Sequence, residues 1–259
     1  MNGGESSNAV FSWSKGNKQR LLLLPQADVL GLATTLKDQG ATAVVSTAHY
    51  PAEMLSTLQQ RLLRPATARK PLHPLLSAQC PVSEMEVASY GEKNLAVAVV
   101  ADWAAQQGLV RRHVLALEQA IDELLLNALF DAPRDADKRP RFALLSPAER
   151  VLLQAHPHET VRLRFATDGL RIVVSVTDSI GQLRRDTVLD YLIRCGAAQA
   201  RHQSPLENKT SGAGVGLFLV AEAASELFFR LRPGRLTEIV FCQHLARPRP
   251  LRVLLIDDR

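Results

Sequence analysis

The sequence predicts an α+β protein: a two-layer α/β sandwich, with a smaller N-terminal βαβα region ahead of it. The first observation is the alternation of strand-like and helix-like segments in "RLLLLPQADVLGLATTLKDQGATAVVSTAHYPAEMLSTLQQRLL", as a parallel α/β unit requires. The second is a pair of adjoining helical segments between Tyr90 and Pro133. The third is the hairpin pattern "VRLRFA", "TDG", "LRIVVSVTD" that follows them. Helices and antiparallel strands are thus segregated in the second part, which favours a sandwich over a doubly wound sheet.

Taken in order, residues 1–18 are polar and are expected to be a disordered arm. Residues 19–87 hold the small α/β region and a linker. Leu21–Leu24 is its first apolar strand and "ATAVVST" its second, while the proline-rich "RPATARKPLHPLLSAQCPVSE" lacks periodicity and suits a linker or irregular cover. Residues 88–247 form the main domain. A helix is expected from Tyr90 to Gly108, with Leu95, Val99 and Trp103 four apart and Gly108 closing it. A second helix over "VRRHVLALEQAIDELLLNALFDAP" ends at Pro133. Residues 134–160 are polar and broken by prolines, with a short strand or helix in "RFALLSPAERVLL". The hairpin comes next, each strand alternating apolar and polar residues. "RDTVLDYLIRCG" is a short helix with Asp186 as its cap and Gly196 at its end. A glycine loop, "SGAGVG", precedes a helix in which Leu217, Val220, Ala221 and Ala224 recur at helical spacing. "RLTEIVFCQHL" is the last strand of the domain, and residues 248–259, with "LRVLLIDDR", are a tail or edge strand ending in a polar cap.

Composition narrows the function classes. Of 259 residues, 46% are hydrophobic and 22% charged, ordinary for a globular chain. No apolar run approaches the roughly 18 residues that span a bilayer, and the polar N-terminus has no signal-peptide core. Cys80, Cys195 and Cys242 are scattered without a C-x-x-C, which argues for a reducing compartment and against structural zinc. A cytoplasmic protein is expected, with no membrane partner. The net charge of +5 is carried partly by "FFRLRPGR" and "LARPRPLR". Aromatics are only 5% and no nucleic-acid module is present, so a basic face for an anionic nucleotide or acidic partner is favoured over DNA or RNA.

Three short motifs carry the candidate chemistry. In "AIDELLLNALFDAP", Glu123 and Asn127 stand one helical turn apart on a shared face. A carboxylate there can orient or deprotonate an attacking group, and a carboxamide oxygen can ligate a hard cation. A surface pair is the plain alternative. In "VSVTDSIGQL", Asp178 ends a buried strand with Gly181 after it, either a ligand carboxylate or an ordinary strand-to-turn aspartate. In "ENKTSGAGVGLFLVAEAAS", Gly212, Gly214 and Gly216 alternate before a helix, whose free N–H groups and dipole suit phosphate. The spacing matches neither G-x-G-x-x-G nor the P-loop, and a glycine-rich turn before a buried helix is its plain alternative.

The order of these motifs resembles the GHKL superfamily of ATP-binding domains, which includes gyrase-type and histidine-kinase ATPases, over about residues 90–245. "DELLLNALFDA" is similar to its N box, "VTDSIG" to its first glycine box, "SGAGVGLFLV" to its second, and "RLTEIVF" to the final strand with its threonine. The resemblance implies the Bergerat-type ATP-binding fold, ATP and Mg²⁺ as cofactors, and roles for named residues. Asp178 would bind the adenine amine, supported by Thr237, and Asn127 would ligate Mg²⁺. Gly181 would let the base lie close. Lys209, Gly212, Gly214, Gly216 and Leu217 would enclose the phosphates, and Glu123 would be the catalytic base. The spelling of the second glycine box and the E-x-x-x-N pair are closest in style to anti-sigma-factor serine kinases, which phosphorylate a small protein.

The chain also departs from the pattern. The first box has Gly181 displaced behind Ile180, and Phe130 stands where histidine kinases often carry Lys or His. Neither His113, on the N-box helix, nor His156 and His158 suits a phosphoacceptor or a metal set. The N-terminal region resembles the opening of response-regulator receiver domains, but Pro25 and Gln26 replace the acidic pair and leave Asp28 as its remnant. Two functions follow: a signalling regulator acting as a Mg-ATP-dependent serine kinase or weak ATPase on a regulatory protein, or a non-catalytic nucleotide-responsive interaction module. The resemblance is compatible with a homodimer.

Overall fold

The computed structural model describes residues 20–47, 53, 55–57, 60, 72, 76, 79–135, 137, 139–142, 145–201, 215–246 and 250–258. The expected arm lies outside these residues, as do Lys209, Gly212 and Gly214. The strands are β1 Leu21–Leu24, β2 Ala43–Ser46, β3 Val82–Val87, β4 Val161–Thr167, β5 Arg171–Asp178, β6 Glu226–Arg232, β7 Leu236–His244 and β8 Val253–Asp257. The helices are α1 Val29–Asp38, α2 Tyr90–Gln106, α3 Arg111–Leu126, α4 Pro147–Val151, α5 Arg185–Ala200 and α6 Val215–Ala223.

All eight strands join one mixed sheet in the order β1-β2-β8-β6-β7-β5-β4-β3. β1 and β2 are parallel, as are β6 and β8. The run β6-β7-β5-β4-β3 is antiparallel throughout. Side chains alternate between two cores, as the pleat dictates. Ile172, Val174 and Val176 of β5 enter the core shared with the helices, and Val173 faces the other side. The helices pack in sequence across one face: α2 on α3, α3 on α6, α6 on α5, α5 on α1. The mixed α/β architecture agrees with the α+β expectation.

The opposite face is covered in part by Leu72 and Leu76, buried against Ala43, Val45, Phe228, Val240 and Val253. These two leucines come from the proline-rich stretch that lacks any periodicity. The same stretch ends in β3, the sheet edge next to β4, where Glu84 and Glu86 are exposed and discourage further strand pairing.

Several expectations change. The C-terminal "LRVLLIDDR", expected as a tail or edge strand, holds an interior strand, β8, between β2 and β6. Leu254 and Ile256 enter the helix-side core and Val253 and Leu255 the other, so both faces are buried. Asp186 does not cap α5: Arg184 is the cap residue, without a side-chain hydrogen bond. Gly196 lies inside α5, which continues to Ala200. A Cβ on Gly196 would come within 3.0 Å of the Leu30 side chain, so this glycine serves a close α1–α5 crossing. Asp28 is committed to capping α1, its Oδ1 accepting the Gly31 N–H at 2.8 Å. The long helix ends at Leu126 and gives way to a π-turn, Asn127–Asp131, in which Ala132 N–H bonds Asn127 O at 2.9 Å.

One guanidinium ties the N-terminal unit to the rest. Arg185, at the start of α5, donates to Leu36 O at 3.2 Å, Ala41 O at 2.5 Å and Ile256 O at 3.3 Å. It thereby satisfies a carbonyl at the end of α1, where intrahelical donors run out.

Leu254→Ala is expected to destabilise the protein by about 2–5 kcal/mol, as for a fully buried leucine. Asp258→Ala, at the exposed end, is expected to cost under about 0.5 kcal/mol. Urea denaturation compares them, and equal midpoints would contradict the interior position of β8.

Candidate functional site

Asp178 is the last residue of β5 and 5% exposed. Its Oδ1 accepts the N–H groups of Ile180 and Gly181, both at 2.9 Å, which closes a tight turn. Gly181 has φ +66, and a Cβ there would lie 2.3 Å from Arg232 O and 2.6 Å from Arg235 N. The displaced glycine therefore has a local cause: the loop after Asp178 lies directly on the β6–β7 turn, and Gly181 O accepts the Gly234 N–H at 3.0 Å.

Thr237 is the register partner of Asp178 across β5 and β7. Burial pushes the Asp178 carboxyl above its ordinary range, and the two backbone N–H groups and then the Thr237 hydroxyl pull it back. The hydroxyl approaches without hydrogen-bond geometry, so Thr237 Oγ1 stays buried and unsatisfied. By strand alternation both side chains stand on the helix side, with Val174 and Val176 of β5 and Ile239 and Phe241 of β7.

The N-box residues reach the same end of the sheet. Val87 pairs with Val161, and Arg162 with Thr177, so β3, β4 and β5 present Val87, Val161 and Asp178 at one edge. Tyr90 follows Val87 at the start of α2 and packs at a tilt against Phe130 of the π-turn, the ring centres 6.3 Å apart. The π-turn itself rests on β5. The loop after it is tied in as well: Arg141 pairs with Glu159, and the Ser179 hydroxyl, next to Asp178, donates to His158 O at 2.5 Å. A cavity of about 230 Å³ opens at this edge, lined by Glu86, Thr160, Val161, Arg162, Thr177, Asp178, Ser179 and Leu236. Glu123 and Asn127 are not among its lining residues.

Glu123 and Asn127 are half-buried, one turn apart. Among the described residues, no side-chain hydrogen bond engages Asn127, whose amide is available to a ligand. Glu123 is placed differently. A Cβ on Gly216 would come within 2.2 Å of Glu123 Oε2 and 2.9 Å of its Cδ, so the carboxylate lies against the first turn of α6. The E-x-x-x-N helix and the glycine-motif helix, remote in sequence, are thus in direct contact. Leu217 turns into the core at 4% exposure, so its side chain is not a site group. Phe130, at the position of the family's Lys or His, is buried at 1%.

Two features of this end carry no sequence signal of their own type. The π-turn has no recognisable spelling, although such turns cluster at functional sites. Asp131, half-buried one turn past Asn127, has its carboxyl raised by burial and drawn back by Arg150 and Arg134. The E-x-x-x-N spacing, extended by one further turn, would have pointed to Asp131. Among the described residues no His, Cys, Asp and Glu grouping suits a metal ion, and no helix is long and apolar enough to cross a membrane.

No protein-family model matches the chain, and no curated protein matches it. Among solved structures, a chain of the SiaB-SiaC complex from Pseudomonas aeruginosa is similar at a TM-score of 0.42 and 16% identity, over 62% of this chain and 88% of that one.

Two outcomes test this geometry. Gly216→Ala is expected to cost about 1–3 kcal/mol through overpacking on Glu123. In a Glu123→Ala background the cost should fall by at least about 0.5 kcal/mol, and additive losses in urea would show that the two do not touch. The second concerns pH. A carboxyl whose folded-state pKa is raised binds its proton more tightly when folded, so its contribution to stability is greatest below the unfolded value. It falls as pH rises through the folded one. Asp178→Asn keeps an acceptor for the turn and removes this loss. Its stability relative to wild type should therefore improve from acidic to neutral pH, and a flat difference across that range counts against a raised Asp178.

Proposed function

We propose that this chain is an ATP-binding signalling regulator that acts on a protein partner. The observation that carries the reading is the contact between Glu123 and Gly216, which joins the N-box helix to the glycine-motif helix. The placement of Asp178 and Thr237 on the helix side supports it, as does the π-turn that begins at Asn127. So does the chemistry of the donor set. Thr237 Oγ1 is buried beside the Asp178 carboxyl without a hydrogen bond of standard geometry, and among the described residues no side-chain hydrogen bond engages the half-buried Asn127 amide.

In this reading Asp178 and Thr237 hold the adenine, Asn127 holds Mg²⁺, and α6 from Gly216, with Lys209, Gly212 and Gly214 ahead of it, faces the phosphates. Bound Mg-ATP would supply a transferable phosphoryl group. Positioning and charge would be the protein's contribution, with Glu123 beside the acceptor hydroxyl in the kinase version. One observation favours the alternative, a non-catalytic nucleotide-responsive module. The Glu123 carboxylate is packed on the α6 first turn, an arrangement suited to reporting the position of that helix to α3.

ATP titration with and without Mg²⁺ tests the binding. Asn127→Ala is expected to weaken Mg²⁺-dependent affinity about tenfold or more, about 1.4 kcal/mol. An affinity unchanged in this variant, with the fold intact, would remove the site. Turnover separates the two versions. In an enzyme, Glu123→Gln should bind ATP as wild type does and lose about 10²- to 10⁴-fold in rate. Wild-type binding without turnover on any candidate partner leaves the module.

A further inference from the structure

The π-turn ends in a charged group that the site as described leaves unused. Asp131 closes the turn, Arg134 follows it, and Arg150 of α4 places its guanidinium carbon 5.5 Å from the centre of the Phe130 ring. Both arginines act electrostatically on Asp131, yet neither forms an ion pair with it among the described residues. Arg150 is otherwise engaged, its Nε donating to Leu145 O at 3.2 Å. Arg134 Nη1 is buried with no hydrogen-bond partner among the described residues. A buried guanidinium donor with no acceptor is costly, and such a group in a folded protein calls for an explanation.

The described backbone on either side of Arg134 is held by several hydrogen bonds. Arg141 N–H donates to Pro133 O at 3.0 Å, and Asp135 N–H to Arg139 O at 3.0 Å. Arg134 and Pro140 form an antiparallel bridge. The Arg139 N–H caps back onto Asp135 Oδ1 at 2.8 Å. Through Arg141 and Glu159 the loop is anchored to the turn that also receives Ser179. Arg134 is therefore fixed at the sheet end that carries Asp178, just beyond the turn that starts with Asn127. A guanidinium is the side chain best shaped for phosphate, with parallel donors and a permanent charge.

We propose that Arg134 is a phosphate contact of the candidate site, its guanidinium, with Nη1 left without an acceptor, donating to the terminal phosphates of the bound nucleotide. The inference rests on the nucleotide reading above and adds a cation that the motifs do not contain.

Calorimetric titration of the full chain with ATP and with adenosine tests it, using wild type, Arg134→Gln, Arg134→Lys and, as a control for general charge, Arg139→Gln. Arg134→Gln is expected to weaken ATP binding about tenfold or more and to leave adenosine binding unchanged. Arg134→Lys should be intermediate and Arg139→Gln like wild type. Equal ATP affinity in wild type and Arg134→Gln, with equal thermal unfolding, overturns the assignment and leaves the nucleotide reading standing. If Arg134→Gln does not fold, Arg134→Lys decides: a loss confined to ATP supports the contact, and unchanged affinity overturns it. A wild type that binds neither ATP nor adenosine overturns the nucleotide reading. Inorganic tripolyphosphate then tests Arg134 by itself. Binding lost in Arg134→Gln supports an anion contact, while equal or absent binding overturns it.

Discussion

The position of β8 between β2 and β6 is the constraint on which the rest of the structure depends. β1 and β2 have no direct pairing with the antiparallel strands, and β8 supplies it, antiparallel to β2 and parallel to β6. Because β8 is buried on both faces, its four apolar residues Val253, Leu254, Leu255 and Ile256 seal two cores at once. Hydrogen bonds continue the join beyond the strand: Ser46 N–H to Arg252 O at 2.7 Å, and Arg252 N–H to Ser225 O at 2.9 Å. The sheet can then be continuous, and a single helix layer can run across it from α1 to α2.

That continuity positions the candidate site. At the α1–α5 crossing a Gly196 Cβ would crowd Leu30, and at the α3–α6 contact the Glu123 carboxylate occupies the space of a Gly216 Cβ, so each glycine lets a helix pair approach at short range. Both are places where a side chain is absent so that two elements can approach. The first anchors the N-terminal unit and the second aligns the two helices that carry the motif residues. A shift of α6 along α3 must therefore move the Glu123 carboxylate. Side-chain packing of this kind has discrete alternatives rather than a continuous range, which is what a ligand-responsive contact needs.

The parts of the fold that were legible in the sequence are those whose periodicity is local. The hairpin of β4 and β5, with Gly169 at φ +79 in its turn, and the helices at Tyr90 and Arg111 follow from alternation and helical spacing. β6 was hidden because Arg230 and Arg232 make it look like a basic cluster. In the fold those arginines pair with Glu238 and Asp257, partners on other strands. β8 reads as a tail or edge strand because its burial on both faces comes from residues far away in sequence. Gly196 looked like a helix end because its reason is Leu30 of another helix. The placement of Asp178 at the end of β5, and of Glu123 one turn before Asn127 on α3, was legible from strand alternation and helical spacing. Gly181 was legible only as a departure, since its cause is the backbone of the β6–β7 turn. Asp131 follows the helical spacing of Glu123 and Asn127 by one more turn, whereas Arg134 carries no pattern.

The electrostatics of the site end follow from one arrangement. Packing Tyr90 against Phe130 and the π-turn against β5 removes water from a region that still holds ionisable groups. Asp178 and Asp131 both respond as desolvated carboxyls do, with pKa values raised and then opposed by nearby donors or cations. Thr177 Oγ1, Thr237 Oγ1 and Arg134 Nη1 are left at the same end without partners. A purely structural region would be expected to pair these groups with one another, since an unmet buried donor is more costly than a weak bond. Here the two buried carboxyls are only partly offset by the donors and cations that act on them. In the proposed reading, a ligand with a hydrogen-bonding ring and an anionic tail would meet both kinds of group, the ring toward Asp178 and Thr237 and the tail toward Arg134 and α6.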